Sequence, residues 1–199
     1  YNKNKFDIAG FAVGVAEKRK ILLKTKVQDN DIILAIPSSG IHSNGFSLIR
    51  YMMKKRKINL KIFKSNYINL KKELLKPTKI YVKEVLNLLK KNLINGCANI
   101  TGGGIGENIK RVIPDGLTAD INLNRIKTNK IFNWIKSNNI QDKEMLKIFN
   151  CGVGFCIIIK KNNLNKVKKF FSKNYKPYVI GKIITGKNKI QFNEKINWS

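Results

Sequence analysis

Two glycine-containing segments carry the side chains best suited to bind a charged small molecule. The first, SSGIHSNG at residues 38–45, lies where an apolar run ends and a helical pattern begins. A helix that starts there directs free backbone N–H groups and the positive end of its dipole outward, which favours an anion. Small polar side chains at Ser38, Ser39, Ser43 and Asn44 add hydrogen-bonding groups. We expect this segment to contact a phosphate or a substrate amide.

His42 is the sole histidine of the chain and lies within this segment. An imidazole there could donate a hydrogen bond or move a proton, so His42 is the candidate catalytic residue. The competing interpretation is an ordinary capped helix, in which Ser43 or Asn44 is the N-cap and Gly40 and Gly45 allow tight backbone turns. The spacing alone favours the capped helix.

The second segment, TGGGIGEN at residues 101–108, also falls between a predicted strand and a predicted helix. Three consecutive glycines, Gly102, Gly103 and Gly104, are costly in conformational entropy unless the backbone must bend sharply or let a ligand approach. A phosphate held by successive N–H groups is such a ligand. The segment is neither a Walker A loop nor a dinucleotide-binding fingerprint. A phosphate site and a tight strand-to-helix turn are equally good interpretations of it.

Two polar residues follow the triple glycine on one face of a helix predicted to begin near Glu107. Asn108 and Arg111 are three positions apart, which makes them neighbours on a helix surface. The Arg111 guanidinium could reach a phosphate at the helix start or pair with Glu107. A further turn, NCGVG at residues 150–154, contains Cys151. We interpret Cys151 as a structural thiol because no second histidine is available to activate it.

The elements that position these segments alternate between strand and helix. Apolar, β-branched runs predict strands at residues 6–17, 32–36, 96–100, 117–121, 155–159, 178–184 and 190–192. Helical spacing predicts helices from Asn44 onward, at 80–89 with Thr78 as N-cap, from Glu107 to before Pro114, and at 131–135, 143–149 and 164–171. Residues 58–70 are predicted to be a loop with a little helix. This order predicts an α/β fold, an α+β layered sandwich.

Composition limits the partners. The formal net charge is +28, with 40 Lys and Arg against 12 Asp and Glu, which raises the hypothesis of a basic nucleic-acid-binding module. Nearly all of this charge is lysine spread along the chain, and abundant Lys, Asn and Ile is typical of an A/T-biased genome. We therefore favour composition bias over a nucleic-acid partner.

The spacing of the cysteines and the length of the apolar runs indicate the cellular compartment. The 3 cysteines show no C-x-x-C spacing, which predicts reduced thiols and no metal site. No apolar run approaches the roughly 20 residues of a membrane span. The first residues lack the apolar region of a signal peptide. We expect a cytoplasmic protein with no membrane partner.

Six ordered blocks of the sequence resemble the aminoimidazole ribonucleotide synthetase (phosphoribosylformylglycinamidine cyclo-ligase) family. They are FDIAGFAVGVAEK at 6–18, SSGIHSNGFSLIR at 38–50, PTKIYVKEVL at 77–86, ITGGGIGENIKRVIPDGLTADI at 100–121, IFNW at 131–134 and EMLKIFNCGVGF at 144–155. They cover the chain almost end to end, which makes the resemblance far more specific than a triple glycine. Sibling enzymes of the superfamily look less similar across the HSNG and NCGVG blocks.

The resemblance implies an ATP-dependent ligase of de novo purine biosynthesis. In that reaction ATP phosphorylates the amide oxygen of formylglycinamidine ribonucleotide. A nitrogen of the substrate then displaces the phosphate and closes the imidazole ring of aminoimidazole ribonucleotide. The resemblance also implies a homodimer, and Mg²⁺ that accompanies the nucleotide.

The resemblance further implies two domains in each subunit. We expect residues 1–19 to be the final strand and linker of an N-terminal ATP-binding domain, which would bind most of the ATP and Mg²⁺. Residues 20–199 would be the C-terminal domain of the superfamily, inactive alone. That domain would supply one wall of the active-site cleft, formed by the first glycine segment and by Gly102, Gly103, Gly104, Asn108 and Arg111, and would hold the ribose phosphate.

The chain departs from the family pattern at Asn99, at Lys110 and at Leu146-Lys147, and the first departure bears on the site. Asn99 stands where the family usually has a histidine. Asparagine keeps hydrogen-bonding capacity but does not titrate near neutral pH. Two alternatives stay open at this point: the nucleic-acid-binding module and a sibling enzyme such as formylglycinamidine ribonucleotide synthetase.

Overall fold

The computed structural model describes residues 9–60 and 68–198. Within them the strands are β1 (Ile32–Pro37), β2 (Gly96–Asn99), β3 (Leu117–Asn122), β4 (Val153–Ile159), β5 (Tyr178–Thr185) and β6 (Ile190–Asn193). The α-helices are α1 (Phe46–Lys55), α2 (Leu70–Leu74), α3 (Val82–Lys90), α4 (Gly104–Lys110), α5 (Lys130–Lys136), α6 (Asp142–Ile148) and α7 (Leu164–Lys168). The predicted layered α/β fold is confirmed.

The strands form one sheet in the order β2-β4-β1-β5-β3-β6. Neighbouring strands are antiparallel except for β3 and β6, which are parallel. The central strand β1 is bonded to β4 on one side and to β5 on the other. The 38–45 segment follows β1, and the triple glycine follows the edge strand β2, so the sheet brings both segments to the same region.

Both faces of the sheet are covered by helices, which explains the continuous apolar run of β1. Ile33 and Ala35 face a core that includes residues of α1, α4, α5 and α6. Ile32, Leu34 and Ile36 face a second core with residues of α3 and α7. Alternation along one strand therefore builds two apolar layers.

The starts of α1 and α3 differ from those predicted. The N-cap of α1 is Gly45 in the left-handed conformation, rather than Ser43 or Asn44. The N-cap of α3 is Tyr81, rather than Thr78. Tyr81 is buried and its hydroxyl donates to the carbonyl oxygen of Pro37 at 2.8 Å. This hydrogen bond fixes Tyr81 against β1, and α3 begins at the next residue.

The predicted buried strand at 6–17 is not formed in its described part. Residues 9–17 are exposed and belong to no strand, and Phe11, Val13 and Val15 present fully exposed side chains. No strand of the described ranges pairs with this segment, so its apolar side chains lack a surface to pack against. Residues 6–8, and residues 61–67 of the predicted loop at 58–70, lie outside the described residues. Among the helices of the described ranges, none is long and apolar enough to span a membrane.

Candidate functional site

Two segments approach each other at the ends of β1 and β2: residues 38–45, called the 38–45 loop, and residues 101–104, called the 101–104 turn. A Cβ atom at Gly102 would lie 3.6 Å from Oδ1 of Asn44. Gly102 and Ser43 are exposed, and Asn44 is half-buried. The structure thus brings two of the predicted binding segments to one surface.

Both segments lead directly into helices that lack side-chain caps. Gly45 precedes α1 with φ 75° and Gly103 precedes α4 with φ 93°, and neither helix has a side-chain hydrogen bond at its N-cap. The first N–H groups of a helix have no partner within it. Those of α1 are therefore available to an anion, and the dipole of α1 favours negative charge. In α4 the first N–H, that of Gly104, already donates to the carbonyl oxygen of Thr101 at 3.1 Å.

A glycine is required at two positions because the backbone passes close to Leu146 and Phe149, which precede the 150–154 turn (residues 150–154). A Cβ at Gly45 would lie 2.1 Å from Cε1 of Phe149. A Cβ at Gly104 would lie 1.9 Å from the carbonyl oxygen of Leu146, and Gly104 has φ 64°. Phe149 and its neighbours thus form the support on which both segments rest.

The 38–45 loop contains two non-glycine residues in the left-handed region, His42 with φ 51° and Ser43 with φ 58°. Such conformations cost free energy and persist where surrounding contacts fix them. Nδ2 of Asn44 donates to the carbonyl oxygen of His42 at 2.8 Å. Nδ2 of the fully buried Asn150 donates to the carbonyl oxygen of Gly40 at 2.9 Å. The loop is therefore held by one bond from its own Asn44 and by one from Asn150 of the 150–154 turn.

The two predicted serines at the start of the loop are partly used by the protein itself. The backbone N–H of Ser38 donates to the carbonyl oxygen of Gly152 at 2.8 Å, and Nδ2 of Asn129 donates to the Ser38 carbonyl oxygen at 3.2 Å. The Ser38 hydroxyl is buried without a hydrogen-bond partner. The Ser39 hydroxyl donates to the carbonyl oxygen of Pro77 at 2.7 Å. Ser43 is the predicted serine that the loop presents to solvent.

His42 is buried beneath the loop rather than presented on its surface. Its side chain is 7% exposed, and Nε2 lies 3.0 Å from the backbone nitrogen of Ser39. Burial lowers the pKa of His42 from its ordinary 6.5 to about 4. The imidazole is therefore neutral at physiological pH.

Asn108 lies where the sequence indicated, but its amide is used by the turn. It is 4% exposed, and Nδ2 donates to the carbonyl oxygen of Gly104 at 2.8 Å. Its Oδ1 accepts from the Thr101 hydroxyl at 3.2 Å. Through these contacts Asn108 stabilises the 101–104 turn.

Arg111 is not brought to the turn. Because α4 begins at Gly104 instead of near Glu107, Arg111 is exposed as its C-cap, at the far end of the helix. Seven residues at 1.5 Å each place its backbone about 10 Å from the helix start. Glu107 pairs instead with Lys110 at 2.7 Å. A phosphate contact by Arg111 stays a prediction.

Sequence reasoning missed Asn129 and Asn150, which bond to the 38–45 loop, and Tyr81, which bonds to Pro37 just before it. A signal was present for Asn150, because it lies in the FNCGVG block. The neighbouring thiols are structural, as interpreted: Cys151 and Cys156 are buried, and burial raises the pKa of both thiols.

A hollow of about 300 Å³ adjoins the site on the α3 side. Tyr81, Phe155, Val85 and the half-buried Lys79 contribute to its lining, and Asn99 lies at its edge-strand side. Within the described ranges no group of three His, Cys, Asp or Glu side chains could hold a metal ion. The side chains of this surface can bind an anion and an amide, but they do not form a site for a divalent cation.

The chain is similar in sequence to one protein family over most of its length. Residues 28–193 match the family described as AIR synthase related protein, C-terminal domain. The chain is 45% identical over 185 residues to a phosphoribosylformylglycinamidine cyclo-ligase of Streptococcus agalactiae, covering 92% of this chain and 54% of that protein. It is 42% identical over 198 residues to the enzyme of the same name from Carboxydothermus hydrogenoformans, covering 98% of this chain and 57% of that protein. The chain thus spans little more than half the length of these curated relatives.

Solved structures share the fold at low identity. Thiamine-monophosphate kinase from Stenotrophomonas maltophilia superposes with a TM-score of 0.59 at 14% identity, over 88% of this chain and 54% of that one. HypE of E. coli, a hydrogenase maturation protein, gives 0.54 at 14% identity over 85% and 48%. PurL of T. maritima, complexed with AMPPCP, gives 0.52 at 11% identity over 86% and 24%. The nucleic-acid-binding module and the sibling enzyme are not favoured by relatives that carry the cyclo-ligase name.

Proposed function

The chain belongs to the AIR synthase related proteins, as their C-terminal domain, and from this premise we propose that it is the substrate-phosphate-binding part of an ATP-dependent cyclo-ligase. The reaction would convert formylglycinamidine ribonucleotide into aminoimidazole ribonucleotide. The name of relatives at 45% and 42% identity supports this reaction. Since the chain spans about half of their length, the complete activity would need the remainder of such a protein.

One observation carries the proposal: the uncapped start of α1 lies beside the point where Asn44 meets Gly102. The backbone N–H groups at the start of α1 would bind the phosphate, with Ser43 and Asn44 adding hydrogen bonds. The glycine at position 102 leaves room for the ligand, since its Cβ position faces nothing closer than the Asn44 oxygen. The role of this chain is then to bind and orient the ribonucleotide while its amide end extends toward the nucleotide.

Magnesium does not fit the described residues, because they offer no cluster of three possible ligands. We therefore propose that Mg²⁺ and most of the ATP contacts belong to the part of the relatives that this chain does not span. The exposed segment with Phe11, Val13 and Val15 supports a second domain, since a fully exposed apolar strand pattern needs a surface to pack on. We propose that residues 1–19 are the last strand and linker of that domain, and that the complete enzyme is a cytoplasmic homodimer.

Genetic complementation tests the reaction. The gene, together with the coding sequence immediately upstream, is supplied to a host that lacks this cyclo-ligase, and growth is measured without purines. Growth with the upstream segment and none without it is the expected result. Absence of growth in both cases, with soluble protein present, would contradict the proposed reaction.

Matched variants then test the phosphate surface in the same host. Gly102→Glu places a carboxylate next to the 38–45 loop, whereas Gly102→Gln adds the same bulk without charge. Because the position is exposed and open, both variants are expected to fold. Gly102→Glu should abolish growth by repelling the substrate phosphate, and Gly102→Gln should retain more of it. Equal growth of the two variants would exclude an anion at this surface.

A further inference from the structure

Two backbone N–H groups donate hydrogen bonds to the imidazole of His42, and these donors indicate its protonation state. The backbone N–H of Ser39 donates to Nε2 at 3.0 Å, and the backbone N–H of Lys79 points at the same nitrogen from 3.4 Å. A backbone amide is a donor in every protonation state of the protein. Nε2 must therefore carry a lone pair, and the neutral ring holds its proton on Nδ1.

The neighbouring hydroxyl does not decide the assignment, because its oxygen can accept from a ring nitrogen, so the two backbone N–H donors decide it. Ser39 Oγ lies 3.0 Å from Nε2, but its proton is used by the carbonyl oxygen of Pro77, 2.7 Å away. A protonated Nε2 would direct its N–H against the N–H groups of Ser39 and Lys79. The two backbone donors thus disfavour the cationic ring, and burial disfavours it further.

His42 joins two segments that are distant in sequence. It belongs to the 38–45 loop, whereas Lys79 and Pro77 belong to the connection that leads into α3. The ring is enclosed on the sheet side by Gly154, where a Cβ would lie 2.6 Å from Cε1 of His42 and 2.0 Å from the Tyr81 hydroxyl. The ring centroid of Tyr81 lies 6.1 Å from that of His42. The imidazole therefore occupies a fitted space with one fixed orientation.

The charged and titratable groups around His42 do not favour a proton on it. Lys79 Nζ pairs with Glu84 at 3.0 Å, so this cation is compensated. Burial raises the pKa of Tyr81, which stays neutral. From β4 the facing residue is Gly154, which carries no charge. No carboxylate in the described contacts of the ring could stabilise an imidazolium.

We propose that His42 is a positioning residue: as a neutral hydrogen-bond acceptor it fixes the 38–45 loop against the connection that carries Lys79, and it transfers no proton. This replaces the catalytic role expected from the sequence. His42 would affect function indirectly, by keeping Ser43, Asn44 and the start of α1 in position. The backbone just before α1 is left-handed, and the contacts of His42 help to fix it. That consequence for ligand binding rests on the proposed function, whereas the acceptor role rests on the contacts alone.

Nitrogen NMR of the imidazole tests the acceptor role directly, and the sole histidine makes its ring signals unambiguous. In the ¹⁵N-labelled chain, Nδ1 should be protonated and Nε2 unprotonated at neutral pH, with titration far below the ordinary value of 6.5. A protonated Nε2 at neutral pH, or titration near 6.5, would overturn the proposal. This measurement needs no variant and does not depend on the identity of the ligand.

Rescue by a conservative variant separates positioning from simple space filling. The amide oxygen of His42→Gln can reach the place of Nε2, whereas His42→Ala leaves the Ser39 N–H without its acceptor. In His42→Ala, amide hydrogen exchange at Ser39 should accelerate about tenfold, as loss of one hydrogen bond predicts. In His42→Gln it should change much less. Equal acceleration in both variants would overturn the acceptor role.

Binding of inorganic phosphate connects the acceptor role to function. His42→Ala should weaken phosphate binding about tenfold through the loosened loop, and His42→Gln should restore most of it. If the unmodified chain binds phosphate but both variants bind equally weakly, the positioning role is overturned. If the unmodified chain binds no phosphate while the ring is the neutral acceptor, the proposed phosphate site fails and the assignment of His42 stands.

Discussion

The 38–45 loop and the 101–104 turn both lead from a strand into a helix, but different kinds of contact hold them. The loop is fixed by residues far away in sequence, above all Asn150, whose amide lies 110 positions from Gly40. The turn is fixed by Asn108, only 4 positions beyond Gly104. The side-chain hydrogen bonds of the turn can form with its own helix, although Gly104 also packs against Leu146 of α6, whereas those of the loop need the assembled sheet.

This difference places the adaptable part of the site in the 38–45 loop. Its strained residues, His42 and Ser43, depend on bonds from several elements, so loss of one partner should loosen it. The 101–104 turn uses glycines where left-handed backbone is required, which carries little steric strain. We expect the turn to act as a rigid wall and the loop as the part whose order depends on the rest of the domain.

Gly104→Ala should have the largest effect on the turn. Its Cβ would meet the backbone oxygen of Leu146 at 1.9 Å, and the residue has φ 64°. We expect a loss of about 3 kcal/mol or more in the free energy of unfolding. Urea denaturation measures it, with Gly102→Ala as the control, because a Cβ there makes an ordinary contact. Similar losses in both variants would refute the close approach at Gly104.

Asn150→Ala and Asn108→Ala should separate the two segments. Removing the Asn150 amide leaves the Gly40 carbonyl and the Gly152 N–H unpaired in the interior, at a cost of about 2–3 kcal/mol. Hydrogen exchange should then accelerate at Ser38 and Gly152 but not at Gly104. Asn108→Ala should accelerate exchange at Gly104 and spare Ser38. If either variant loosened both segments equally, the distinction between local and long-range support would be wrong.

Stability should depend on pH through His42. Well above pH 6.5 the ring is neutral in both the folded and the unfolded chain, so it contributes no pH dependence there. As pH falls from 6.5 toward 4, the unfolded chain binds a proton that the folded ring excludes, and the free energy of unfolding decreases. Allowing for partial solvent screening, we expect a loss of up to about 2 kcal/mol.

The His42 contribution is the difference between the unmodified chain and His42→Gln. Both carry the same carboxylates, so subtracting their urea midpoints across pH 4 to 7 isolates the imidazole. A difference that stays constant over this range would contradict a depressed pKa.

Glu107→Gln should have the smallest effect. Its ion pair with Lys110 lies at the surface, and Glu107 is exposed. Exposed pairs contribute little to stability, because water screens both charges. Urea denaturation should show a midpoint close to that of the unmodified chain. A clearly lower midpoint would mean that this pair, rather than Asn108, holds the turn.

The sequence predicted the elements better than their contacts. The run from Ile32 to Ile36 could be identified as a buried strand because apolar side chains faced both layers. The placement of His42 could not be predicted, since it depends on Lys79 and on the space left by Gly154, which has no Cβ. The pairing of β1 with β4 brings Gly154 close to the 38–45 loop, and the connection into α3 brings Lys79 to it. Periodicity shows which residues are buried, but not which partners they meet.

Direct binding of a sugar phosphate to this chain tests the central claim, that the convergence of Asn44 and Gly102 forms a phosphate-binding wall. Ribose 5-phosphate is titrated into the ¹⁵N-labelled chain, with Gly102→Glu and Gly102→Gln in parallel. We predict saturable shifts of the Phe46, Ser47 and Gly102 amides, retained in Gly102→Gln and lost in Gly102→Glu. Shifts that spread over the surface lysines, or that survive unchanged in Gly102→Glu, would contradict the account.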